Sequence, residues 1–514
     1  MKYSQCLASH FASGLYLGIL LLLQSTGNAQ VPSSRAQQVP FSSSEAGGVS
    51  AQQNTNPGAE RSVNTIQSSV NTSGRFQGSI LDPSDSGNAI TLSLESAIER
   101  GLRFNLGAVS ATHAVAKARG ERLGALSQLL PSVTASVNEN VTQLYLPAEG
   151  MSSSLFGNSS LFQLPLVTGQ YHYYSLFGSI NYNAVDLTAF RNLKAADAAE
   201  LSSELHLRDA REVVILAVGG TYLQTLADAA VVEAQKYEIE FMDAGYQQAR
   251  EQHAAGVRAR IDVDRNLVEL RSEQQRLASY EAELAKEKIR LARLIGLQSG
   301  TAIALSDALP DSFSGMETLQ EAIQHGFAER HDLQAANKEL EAAEQARKAA
   351  RSEYLPTLSL SGLYGLQGTG PDTGKITYNG VASVNIPIWQ GGRAKADTQQ
   401  ADASISERRA EYQNLKAKVE EDVRMAYIDA EVAAKQVQVA RENQILAKET
   451  MLDSQDRFQA GVTDSVEVVQ AHQIMASADR DYIASLYSQS LSRLRLAQAE
   501  GNAETESKLL FHPQ

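Results

Sequence analysis

The sequence predicts a mixed α+β membrane protein made of one unit used twice, in which short amphipathic strands meet the membrane and very long helices lie outside it. Three observations lead there: a targeting segment, an internal repeat over most of the chain, and a hydrophobic period that switches from helix to strand and back within each repeat. Composition agrees, since of 514 residues only 6% are aromatic and 12 are proline, with long stretches rich in Ala, Gln, Glu, Leu, Lys and Arg as in extended helices. A net charge of -14 leaves no basic stripe for a phosphate backbone, which sets nucleic acid aside.

The first element is a signal peptide at 1–29: Lys2 supplies the positive start, Leu15 to Leu23 the apolar core, and Gly27-Asn28-Ala29 the small residues before cleavage. That core is too short to span a bilayer as a helix, and later apolar runs do not reach about 20 residues, so insertion must use strands. The only cysteine, Cys6, precedes the apolar core and is expected to leave with it, so no disulfide, lipidated cysteine or cysteine-held metal is expected. Residues 30–88 are dominated by Ser, Gln and Asn with few large apolar groups, and read as a disordered leader.

The repeats are 89–301 and 302–501, followed by a tail at 502–514. Leu94 to Gly101 recurs as Leu319 to Gly326, and Leu130-Pro131 as Leu355-Pro356 at the same offset. Thr221-Tyr222 recurs as Ala426-Tyr427, Ala255-Gly256-Val257 as Ala460-Gly461-Val462, and Gly296 as Gly501, at a second constant offset. The single change of offset puts a longer strand-to-strand loop in the first repeat.

Leu94 to Leu129 and Leu319 to Tyr354 read as helices, each ending at a junction proline, Pro131 or Pro356. Period two follows. Val133, Ala135, Val137 and Val141 alternate with polar residues, as do Leu358, Leu360, Gly362, Tyr364 and Leu366; partner strands lie around Tyr174–Tyr182 and Gly380–Ile386. Strands of about ten residues can cross a bilayer when tilted. Four of them cannot close a barrel, and an open edge cannot sit in hydrocarbon, so copies must pool strands, eight for a dimer or twelve for a trimer.

Helix then returns without proline from about Ala189 to His253 and from Arg393 to Gln459, giving rods on the order of 100 Å at about 1.5 Å per residue. Both end at Ala-Gly-Val, where glycine permits reversal into a second helix. Val263, Leu270, Leu277, Leu284 and Leu291 form a heptad seam in the first of these, so each repeat ends in an antiparallel helical hairpin.

At this point the chain resembles the TolC-like family of bacterial outer-membrane efflux channels. The most specific piece is Ile386-Pro387-Ile388-Trp389-Gln390-Gly391-Gly392-Arg393, similar to the family's turn from second strand to long helix; the Leu-Pro junctions and Ala-Gly-Val tips agree. Ala184 to Arg191, the equivalent stretch of the first repeat, lacks the paired glycines. The resemblance implies a homotrimer with a 12-stranded β-barrel, four strands per chain, in the outer membrane above a periplasmic α-helical barrel. It also implies a periplasmic adaptor and an inner-membrane pump as partners.

Individual residues carry two readings each. Ala255, Gly256, Val257, Ala460, Gly461 and Val462 either serve the chain reversal alone or also dock the adaptor, as the resemblance implies. Asp262 and Glu467, each six residues after the tip glycine, either favour the helix macrodipole or, as the resemblance implies, form acidic rings at the pore entrance; Gln470 replaces a further acid, so the ring should be weak. Trp389 and Tyr364 read as interfacial anchors more than as ligand-stacking groups. His325 and His331 lack metal spacing, Gly368 to Lys375 lacks the spacing and the hydroxyl of a phosphate loop, and no catalytic motif occurs, so no active site, cofactor or metal is expected. The function expected is a passive duct for a tripartite efflux or type I secretion system; the alternative is a soluble periplasmic coiled-coil scaffold or adaptor.

Overall fold

The computed structural model describes residue 35 and residues 49–55, 66–83, 88–149, 167–311, 316–460, 462–463 and 465–509. The expected signal peptide at 1–29 lies outside the described residues. In chain order the elements are β1 (Val49–Thr55), β2 (Ile66–Thr72), β3 (Ile90–Leu92), α1 (Leu94–Phe104), α2 (Leu106–Ser127), β4 (Ser132–Thr142), β5 (Tyr171–Val185), α3 (Leu187–Ala254) and α4 (Arg260–Leu294). They continue with β6 (Ile303–Leu305), α5 (Leu319–Glu329), α6 (His331–Ser352), β7 (Thr357–Gly368), β8 (Lys375–Asn385), α7 (Arg393–Gln459), α8 (Ser465–Glu500) and α9 (Ala503–Leu509). Contacts separate two compact units, one containing Arg35, Gly120–Asp197 and Glu341–Ile405, the other Ala198–Leu340 and Ser406–Gln514 with the described residues between 49 and 119.

The first unit holds a four-stranded antiparallel sheet in the order β4-β5-β7-β8. Its register aligns the apolar alternation of all four strands on one face. Ala135, Gly178, Tyr364 and Tyr378 form one row across the sheet, and Val137, Leu176, Leu366 and Ile376 another. The opposite face reads Thr134, Ser179, Leu363 and Asn379, then Asn138, Ser175, Gln367 and Lys375, largely polar. A one-residue slip at any pairing would scatter these rows, so the period-two pattern fixes the register. The apolar row is solvent-facing within one chain: Val133, Val137, Ile376, Tyr378 and Val384 are all exposed.

The second unit is helical and has the larger core. Val214, Ile215, Val218, Tyr222 and Leu223 of α3 are fully buried with Leu291 and Ile295 at the end of α4, Leu491 and Leu494 of α8, and Leu92 and Leu94. Each such side chain contributes about 1.5–3 kcal/mol of transfer free energy. This stretch explains an apparent exception to the expected lack of apolar helices: a window of α3 has a mean hydropathy of 1.4, and 67% of it is buried in the protein. The parallel pair β3–β6, too short to show in the sequence, closes one side of this core. Tyr222 donates its hydroxyl proton toward Asp307 Oδ2 at 2.9 Å, with the Leu92 carbonyl also at 2.9 Å, and Tyr427 donates to the Glu317 carbonyl at 3.1 Å. The two matched tyrosines thus tie down the segment preceding α1 and the segment preceding α5.

Two expectations require correction. The leader is not disordered throughout: β1 and β2 pair as a hairpin, and Val70 and Phe76 pack on the core, Val70 occupying space that a side chain at Gly220 would fill. Few apolar groups suffice there because the helices provide the opposing surface. Arg35, in the same leader, pairs with Asp397 at 2.8 Å, and its carbonyl accepts from Asn192 at 2.8 Å. The helices expected at Leu94–Leu129 and Leu319–Tyr354 are each broken, at Asn105 and at Arg330, which leave the helical region with ψ of 133° and 115°. Buried Asn105 bonds the Phe76 carbonyl at 3.1 Å and accepts from the Gly107 N–H at 2.9 Å, while Arg330 forks onto Asp332 and reaches Asp422 at 2.9 Å. The tail contains α9, whose first residue, buried Ala503, donates its N–H to Glu212 at 2.6 Å.

Candidate functional site

The residues singled out by sequence fall at three places: the ends of the helical hairpins, the turn from β8 to α7, and the helix-to-strand junctions. At the first hairpin end Gly256 has φ +72°, its N–H donates to the His253 carbonyl at 2.9 Å, and the Val257 N–H donates to the Gln252 carbonyl at 2.9 Å. These two bonds satisfy carbonyls left over by α3 and require the left-handed backbone that glycine adopts without strain. At the second end the Val462 N–H donates to the Arg457 carbonyl at 2.9 Å, the equivalent of the Val257 bond, and Ala460 donates to Asp456 at 2.9 Å. Gly461 lies outside the described residues. Val257 and Val462 are 81% and 69% exposed, so both hairpins present an unburied branched apolar side chain. Ala255 and Ala460 are exposed beside them.

Asp262 and Glu467 lie in the first turns of α4 and α8. Neither is a bare charge. Asp262 Oδ1 is 3.8 Å from the Arg265 guanidinium, whereas Glu467 accepts from Arg457 Nη1 at 2.8 Å and from the Thr463 hydroxyl. The Arg457 pair joins the last turn of α7 to the first turn of α8 and so clasps that hairpin end. Sequence inspection missed Arg457, although a basic residue in the last turn of a helix is a recognisable signal of favourable interaction with the macrodipole. It also missed Arg258, which stacks over the Phe458 ring at 4.6 Å; those two residues are far apart in sequence and carry no periodic signature.

At the strand-to-helix turn, Pro387 follows β8, and Gly391 and Gly392 take φ of +63° and +89° before α7 begins at Arg393. Gln390 donates to the Glu353 carbonyl at 3.0 Å, and Arg393 lies 3.7 Å from the buried Glu353 carboxylate, fixing the turn to the end of α6. Trp389 is 86% exposed, next to exposed Ile386 and Ile388. The first repeat reaches the same result by another route. There β5 ends at Val185 and α3 starts at Leu187, with Asp186 Oδ1 accepting from the Ala189 N–H at 2.9 Å, so an N-cap replaces the paired glycines. Pro131 and Pro356 each follow a final tight turn, closed by Leu130 donating to Ser127 at 3.2 Å and Leu355 donating to Ser352 at 2.9 Å, and each immediately precedes a strand.

The family model for outer membrane efflux proteins matches residues 322–502. The chain is 22% identical over 346 residues to the probable efflux pump outer membrane protein TtgC of Pseudomonas putida, covering 65% of this chain and 70% of that relative. Among solved structures, its fold is similar to the outer membrane protein VceC of Vibrio cholerae, with a TM-score of 0.64 at 17% identity over 80% of this chain and 96% of that one. It is also similar to the open state of the MtrE outer membrane channel of Neisseria gonorrhoeae, with a TM-score of 0.65 at 17% identity over 91% and 98% of the two chains. Between residues 322 and 502 the chain is similar in sequence to outer membrane efflux proteins, and over four-fifths or more of its length its fold is similar to that of outer membrane channels, in line with the resemblance its motifs suggested.

Proposed function

We propose that this chain is the outer-membrane channel subunit of a tripartite efflux or type I secretion system, a passive duct whose driving energy comes from an inner-membrane pump. One observation carries the reading: four antiparallel strands with a continuous apolar face on one side, a largely polar face on the other, and outer strands β4 and β8 that each have a single partner among the described residues. Such a sheet is unstable in water because its apolar rows are exposed, and unstable in lipid because its edges are unpaired. Sharing edges between copies resolves both, and three copies give the twelve-stranded wall that encloses a water-filled hole lined by the polar face. The repeated order of two helices, two strands and two helices supports the reading of 89–301 and 302–501 as duplicated halves.

The exposed valines and small alanines of the hairpin ends support these ends as the adaptor-docking surface, with the pump reached through that adaptor. Asp262 and Glu467 are proposed as the acidic lining of the pore entrance, weakened by their arginine partners. A channel of this kind performs no bond chemistry, so no catalytic role is proposed for any residue. A soluble periplasmic scaffold would have no use for the apolar rows. The test is fractionation followed by mass measurement: the protein should require detergent for release from the outer membrane, weigh three chains, and give stepwise conductance in a planar bilayer. Recovery as a monomer from a detergent-free periplasmic extract would defeat the proposal.

A further inference from the structure

We propose that the cleft between the two helical hairpins, near their ends, is a binding site for a small aromatic anion, a one- or two-ring carboxylate or sulfonate. The cleft has a volume of about 210 Å³ and is walled by α3 and α4 on one side and α7 and α8 on the other, all within the helical unit. Its ring-bearing wall is built from Phe241 and His472, stacked at 3.8 Å with 26° between their planes, and from Phe458; Met242 adds a polarisable apolar surface. His472 is buried and held in place, its Nε2 accepting at 3.1 Å from the side-chain amide of Gln455. That assignment leaves the imidazole proton on Nδ1, 3.5 Å from Glu238 and without a hydrogen bond. The aromatic pair is therefore an ordered part of the wall.

The charge comes from Arg258. Its guanidinium lies over the Phe458 ring at 4.6 Å, and no carboxylate among the described residues pairs with it. Its neighbours differ: Arg260 is with Asp264, Arg265 with Asp262 and Arg457 with Glu467. In a chain with 59 acidic and 45 basic residues, a cation with no acid beside it among the described residues, on the wall of an aromatic cleft, is a vacancy for an anion from outside. A guanidinium supplies paired N–H donors to a carboxylate or sulfonate while the adjoining rings take the flat body of the ligand. Size sets the class. Drug-sized sites run to about 300–1,000 Å³, so this smaller cleft takes one or two fused rings. Because both hairpins contribute walls, an occupant favours the spacing at which the hairpins are seen here over any spacing that opens the cleft.

The test uses the full chain in lipid nanodiscs, titrated with 6-fluoro-2-naphthoate and followed by fluorine NMR. Saturable binding with a Kd below about 1 mM is expected, weakened by about tenfold or more in Arg258→Gln and in Val469→Trp, which fills the cleft. The uncharged 6-fluoro-2-naphthol should bind about tenfold more weakly than the naphthoate. Circular dichroism and assembly mass check that both variants fold, and Ala244→Leu fills the cleft from the other hairpin if Val469→Trp does not assemble. Absence of saturable binding, or equal affinity in native protein and Arg258→Gln, overturns the proposal. So does equal binding of the naphthol, which would make the cleft an apolar void with no preference for anions.

Discussion

Gly296 and Gly501 end α4 and α8 with φ of +77° and +88°, and each lies against a helix break. A Cβ on Gly296 would come within 2.7 Å of the Ile80 carbonyl oxygen and Phe104, and one on Gly501 within 3.0 Å of the Arg330 backbone. Alanine at either position meets both left-handed strain and a rigid obstacle. Gly501→Ala is predicted to cost about 1–3 kcal/mol and to lower the thermal midpoint in detergent. Gly256→Ala makes an instructive contrast, since φ is +72° but the space is open, so only the conformational cost of about 1–2 kcal/mol applies and assembly should persist. The acidic pair has a separate test. Asp262→Asn with Glu467→Gln should lower the ratio of cation to anion permeability in a bilayer, and Arg457→Ala, which uncovers Glu467, should raise it. An unchanged ratio in the double variant removes the acidic-ring proposal.

At the scale of elements, the sheet is governed by which face a residue occupies. Tyr378 lies in the apolar row beside Tyr364, and Thr377 lies on the opposite face beside Gly365. Tyr378→Lys is predicted to cost about 2–4 kcal/mol in a bilayer midplane position and to reduce the outer-membrane yield, while Thr377→Lys, facing water, should assemble near the native level. Comparable loss from both would mean that the sheet is not in lipid. In the helical unit, the end of α8 is sensitive to pH. Burial, then the charge of Glu317 and a hydrogen bond to it, push the Glu500 carboxyl up to about 8, with Glu506 adding to the rise and Arg493 opposing it. Burial likewise raises Glu212, which receives the Ala503 N–H, to about 7. Raised carboxyl values mean that the folded state holds these protons more tightly than the unfolded chain. The stability these two groups contribute is therefore greatest in acid and declines as pH rises from about 4.5 through 7 and 8, with no further change from them above that. Glu500→Gln should remove most of the decline of the thermal midpoint expected between pH 7 and pH 8.5 while leaving the part due to Glu212.

For the whole molecule, much was legible because it is periodic. The strands after Pro131 and Pro356, the long helices ending at Ala254 and Gln459, and the reversals after them all follow from hydrophobic spacing plus proline and glycine, which act on the local backbone. Strand count alone gives outer strands with a single partner each among the described residues, and it is the ground on which several copies are proposed to pool their strands. What sequence inspection could not supply depends on surfaces brought together from distant parts of the chain. Breaks at Asn105 and Arg330 occur in segments with good helical propensity, and are held by Phe76 in one case and by Asp332 and Asp422 in the other. The β1–β2 hairpin is ordered because helices already built offer it a core, which a composition of Ser, Gln and Asn cannot announce. Arg457 beside Glu467 and Arg258 over Phe458 are meetings of residues across a hairpin end or between neighbouring helices. Local periodicity thus determined the elements and the two-faced sheet they build, and tertiary packing decided where helices stop, which charges are neutralised and which cation lies beside a cleft, because those outcomes turn on distance in space and not on spacing along the chain.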